Sequence, residues 1–88
     1  MLILPKNDLL KQEVLEKVII KFEKGRKYKD NEVKEIILSC DVEDYVLFRR
    51  ELINFGYMGR DMGGNEYWVI KHKLSDDDLK RIAQIRLI

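Results

Sequence analysis

Between Val42 and Ile70 the chain reads VEDYVLFRRELINFGYMGRDMGGNEYWVI, and this stretch constrains the fold more than any other. Tyr45, Phe48, Leu52 and Phe55 recur at spacings of three and four, one face of a 3.6-residue period, which predicts a helix over about 43–55. Gly56 suits the left-handed position that closes many helices. Tyr57–Arg60 and Glu66–Ile70 then read as strands flanking Asp61-Met62-Gly63-Gly64-Asn65, whose glycines supply the positive φ of a tight hairpin. A helix followed by such a hairpin is the second half of a winged helix-turn-helix, a fold used mainly to set one helix against DNA.

Length and composition bound what else is present. Eighty-eight residues make one small domain with a single core. Hydrophobic residues at 45% can fill that core, and charged residues at 38% imply a heavily solvated surface. No apolar run approaches the roughly 18 residues of a membrane span. Met1-Leu2-Ile3-Leu4 is short for a signal peptide and is followed by Pro5, so a cytoplasmic setting is expected. Cys40 is the sole cysteine, which excludes an internal disulfide and a multi-cysteine zinc site.

Net charge is only +1, low for a dedicated DNA-binding domain, but its distribution is uneven. From Lys17 to Lys34 seven basic residues face three acidic ones, whereas Asp41, Glu43, Asp44 and Glu51 outnumber Arg49 and Arg50 in the next helix.

Upstream, Asn7 or Asp8 can cap a first helix whose stripe is Leu10, Val14, Leu15, Val18, Ile19 and Phe22, with Gly25 as its stop. Arg26-Lys27-Tyr28 is short and extended, where winged helices often add a small strand. Asp30 is expected to cap a second helix with Val33, Ile36 and Ile37 on its buried face. A brief turn near Cys40–Glu43 leads to the third helix, which Asp41 or Glu43 would open. Downstream, Ser75-Asp76-Asp77-Asp78 nearly matches a capping box and starts a last helix bearing Leu79, Ile82, Ala83 and Ile85. The expected fold is therefore α+β: one winged helix-turn-helix domain (residues 9–70) with a two- or three-stranded antiparallel wing, and an extra C-terminal helix over 75–87.

These residues also form a pattern seen elsewhere. Phe22-Glu23-x-Gly25-Arg26-x-Tyr28, Glu32-Val33, Asp44 with Phe48-Arg49-Arg50-Glu51-Leu52, Gly56-Tyr57-Met58-x-Arg60 and Gly64-x-x-Tyr67-Trp68 together resemble the bacterial family called domain of unknown function 2087. The resemblance spans about Leu4 to Val69. Members occur alone or behind an ArsR-like helix-turn-helix domain and are commonly labelled transcriptional regulators, so the resemblance implies an association with transcription regulation and no enzymatic mechanism. Three positions depart from the family pattern: Lys34 stands for an asparagine, Phe48 for a leucine and Asn54 for an aspartate. The Phe48 exchange keeps an apolar position; the other two change polar chemistry.

The candidate DNA-binding residues are Arg49, Arg50 and Arg60, with Lys27, Lys29 and Lys34 behind them. An arginine fork on the third helix can grip guanine or phosphate. Equally, one of the pair can fold back onto Asp30 or Glu32 and pin two helices together. Of Tyr67 and Trp68, adjacent on a strand, one belongs to the core and the other faces outwards. A solvated face is the ordinary account of the lysine cluster. His72 lacks partners at metal-ligand spacing, Cys40 lacks a neighbouring base, and no phosphate loop, catalytic triad or carboxylate pair is visible. No catalytic residue, metal or cofactor is therefore assigned.

Two functions follow from these residues. In the first, helix 43–55 and hairpin 57–70 bind DNA, and a second copy of the chain docks through Leu79, Ile82, Leu87 and Ile88 of the last helix. In the alternative, the scaffold is a protein-interaction or sensing module, as the acidic start of the third helix favours. The fate of Arg49 and Arg50 discriminates between them.

Overall fold

The computed structural model describes residues 1–86. Four helices and three short strands follow in the order α1 (Asp8–Ile19), β1 (Lys27–Lys29), α2 (Asp30–Ser39), α3 (Tyr45–Asn54), β2 (Met58–Arg60), β3 (Glu66–Val69) and α4 (Asp76–Arg86). The chain is thus α+β, with a small open antiparallel sheet in the order β1-β3-β2.

Local chemistry sets most boundaries. The Asn7 side chain accepts from the amides of Leu9 and Leu10 at 2.9 and 3.3 Å and opens α1. That helix ends at Ile19, earlier than Gly25, and the Phe22 amide donates back to the Ile19 carbonyl to turn the chain towards β1. Asp44, rather than Asp41 or Glu43, caps α3 by accepting from the Leu47 amide at 3.2 Å. Gly56, at φ +86°, closes it as expected. The Gly56 amide reaches Ile53 and the Tyr57 amide reaches Leu52, the paired bonds of a left-handed helix stop.

The expected cap of α2 is corrected. Lys29 occupies that position, and Glu32 reaches back to its amide at 3.1 Å. That amide bond, reinforced by Arg26 at 2.8 Å, holds the Glu32 carboxyl below its ordinary range. Asp30 is the first helical residue instead, and its carboxylate turns away to other partners described below.

The hairpin tip also differs in its means. Gly64 alone takes positive φ; the turn is otherwise held by Asp61, whose carboxylate accepts from the amides of Asn65 and Glu66 at 2.7 and 3.1 Å. These amides, first Glu66 and then Asn65, lower its pKa. Across the sheet Tyr28 lies opposite Tyr67 and Met58 opposite Val69 on the face towards the helices. On the outer face Trp68 stands between Lys27 and Gly59, and a Cβ at Gly59 would fall inside the indole.

The core gathers Leu15, Val18 and Ile19 of α1, Val33 and Ile37 of α2, and Phe48 and Leu52 of α3, with the rings of Phe22, Tyr28, Phe55, Tyr57 and Tyr67 around them. Leu10, expected in the first stripe, is half exposed. Two polar seams cross this interior. Tyr57 donates its hydroxyl to Glu16 at 2.8 Å, and burial together with that bond raises its pKa far above the ordinary phenol value. Lys11 meets the buried Glu51 at 3.4 Å, tying α1 to α3. No buried side-chain nitrogen or oxygen among the described residues lacks a partner.

α4 is anchored by the predicted capping box, with aspartate in the reciprocal place. Ser75 Oγ accepts from the Asp78 amide at 3.2 Å, while Asp78 accepts from the Ser75 amide at 3.0 Å. Lys71 donates to the same carboxylate at 2.8 Å, and this bond above all depresses the Asp78 pKa. At the opposite end of the chain, Leu2 pairs with Val42, through its amide to Asp41 and its carbonyl to Glu43.

Candidate functional site

Every three or four residues along α3, a second stripe runs beside the core-facing one: Val46, Arg49, Arg50, Ile53 and Asn54, with Ile53 still packed against the core at its edge. Together with Arg60 of β2 these side chains line a half-open cavity of about 310 Å³. Helix and hairpin therefore contribute to one site because α3 packs across β2.

The three arginines are held differently. Arg49 donates to Asp30 Oδ1 at 2.9 Å, and its side chain is only 22% exposed. Asp30 also accepts from the Tyr67 hydroxyl at 3.0 Å, so one carboxylate ties α2 to both α3 and β3. Burial first, and then this bond, raises the Tyr67 pKa. Arg49 and Lys34 approach the Tyr45 ring, at 5.5 and 5.4 Å from its centre. Lys34 thus sits on the α2–α3 side, near the site without lining it.

Arg50 is exposed and makes no salt bridge among the described residues. Arg60 likewise has none; its guanidinium lies 5.6 Å from the centre of the Tyr67 ring. Gly64 makes room for it, since a Cβ at that left-handed position would overlap the guanidinium. The neighbouring Asp61 makes no salt bridge to Arg60 and directs Oδ1 to backbone amides, although the nearby guanidinium helps to lower its pKa.

Of the six residues singled out in the sequence, then, Arg49, Arg50 and Arg60 converge. Lys27 and Lys29 do not: they stand on the outer face of the sheet, opposite Trp68 and Glu66. Sequence reasoning weighed Asp30 as a partner for an arginine and missed Val46, Ile53 and Asn54. Their signal was present in the spacing, because Val46, Arg49, Arg50, Ile53 and Asn54 stand at i, i+3, i+4, i+7 and i+8.

The remaining candidates are structural. His72 Nε2 lies 2.8 Å from the Phe22 carbonyl oxygen and joins the end of β3 to the end of α1. Cys40 is half buried and donates its thiol to Ile36 at 3.5 Å. No three His, Cys, Asp or Glu side chains among the described residues stand close enough to share a metal ion. On α4, Ile82 is buried and Leu79 half buried; Leu87 and Ile88 lie outside the described residues. No helix among the described residues is long and apolar enough to cross a membrane.

No curated protein and no solved structure gives a significant match to the chain. A family profile does, over residues 2–69, the span from the first residue of the Leu2–Val42 bridge to the last of β3. The chain belongs to the family described as "uncharacterized protein conserved in bacteria (DUF2087)".

Proposed function

We propose that this chain is a winged helix-turn-helix domain that binds duplex DNA through α3 and the β2–β3 hairpin, in the service of transcription regulation. The element order α1-β1-α2-α3-β2-β3, with β3 central in the sheet, supports the winged-helix reading. The observation that carries the DNA reading is the convergence of Arg50 and Arg60 on one open face, from helix and hairpin, with neither guanidinium spent on a salt bridge. Arg49, clamped by Asp30, holds the face in shape and leaves its remaining N–H groups for a ligand.

A salt series with random duplex DNA tests this. Affinity should fall steeply as salt rises, and the Arg50→Ala, Arg60→Ala double variant should lose about two phosphate contacts' worth of salt slope. A folded protein that binds no duplex at low salt would overturn the reading. In that event the exposed acids Asp41, Glu43 and Asp44 just before α3 favour the alternative, a non-enzymatic protein-interaction or sensing module on the same scaffold.

A further inference from the structure

The cavity has a wall that phosphate recognition alone does not need. Val46, 47% exposed, and the half-buried Ile53 lie on the same helical stripe as the arginines and line the same space. Three arginines line it, of which Arg49 is paired with Asp30. Arg50 and Arg60, which make no salt bridge among the described residues, remain beside an apolar surface. Planar guanidinium forks match tetrahedral and carboxylate anions. The volume, about 310 Å³, falls at the lower end of small-molecule sites. We infer that this cavity binds a small organic dianion, with its charged end between Arg50 and Arg60 and an apolar group of about phenyl size against Val46 and Ile53. This goes beyond DNA binding, and only one part of it rests on that reading: since Arg50 and Arg60 serve both, ligand and duplex exclude each other.

Phenyl phosphate is the probe, compared with inorganic phosphate by calorimetric titration of the whole chain. Phenyl phosphate should bind about tenfold more tightly, the gain expected from covering roughly one ring face. Arg50→Ala and Arg60→Ala should each weaken it by about tenfold. Val46→Ser, an exposed helical position whose folding circular dichroism checks, should narrow the difference between the two probes about threefold while leaving inorganic phosphate unchanged. Equal affinity for the two probes, no binding of phenyl phosphate, or binding indifferent to the arginine variants would overturn the inference. The duplex assay separates the two readings. Duplex binding without phenyl phosphate binding sinks the ligand site alone, and phenyl phosphate binding without duplex binding upholds the site and removes its competition with DNA.

Discussion

α3 carries charge on both of its faces, and the two faces treat it oppositely. Towards α1, Glu51 is 5% exposed and is met by Lys11 at 3.4 Å and by Asn54 at 3.3 Å. Towards solvent, Arg49 has a carboxylate partner, while Arg50 one residue later has none among the described residues. The contrast follows from desolvation. A charge buried between α1 and α3 persists only if paired, because burying it alone is far costlier than leaving it in water. A charge at the open face is under no such demand, so a guanidinium left unpaired there is available for a ligand.

The largest test of this contrast is on the buried side. Lys11→Met should cost roughly 3 kcal/mol, since it removes the cation that meets the buried Glu51 carboxylate, and should lower the urea midpoint with little change in slope. A loss under about 1 kcal/mol would mean that water reaches Glu51 and that the two faces differ less than their burial implies.

The next effect depends on pH. Asp78 has a depressed pKa in the folded chain, so its contribution to stability is complete above the unfolded value near 4 and disappears as the pH falls from there through the folded value. Asp78→Asn should therefore lower stability at neutral pH and flatten the acid limb of the stability–pH curve. An unchanged acid limb would show that Lys71 and Ser75 do not hold the carboxylate in solution.

On the outer face the effects shrink. Arg49→Ala should cost about 0.5–1 kcal/mol through loss of the Asp30 tie, measured by thermal unfolding. Arg50→Ala should change stability by less than about 0.5 kcal/mol, yet reduce the salt slope of duplex binding by roughly 1. If Arg50→Ala proved as destabilising as Arg49→Ala, the distinction between the two neighbours would fail.

Much of this architecture is legible in the residues. The 3.6-residue spacing of Phe48, Leu52 and Phe55, the stop at Gly56 and the serine–aspartate pair before α4 each have one local physical meaning, and the observed elements follow them closely. The roles of acids near helix starts are less legible, because a carboxylate has several competing partners that only tertiary structure supplies. Asp30 stands where a cap belongs but is drawn to Arg49 and Tyr67, residues 19 and 37 positions away. The lysines illustrate the same point across a strand. Lys27 and Lys29 are near the arginines in composition, yet strand alternation sends them to the outer face of the sheet. The Val46–Ile53 wall is hard to read from spacing because Ile53 borders the core stripe of α3 as well as the cavity.

Trp68, the only tryptophan, has a practical consequence as an optical reporter. Its indole lies flat over Gly59 on the outer face of the sheet, while Arg60 projects from the next residue to the opposite face. Intrinsic fluorescence should therefore signal whether the three strands are assembled and stay nearly silent when the arginine cavity fills. A titration followed only by that emission would miss binding altogether, and a bulkier residue at position 59 would lift the fluorophore and brighten or dim the protein with no ligand present.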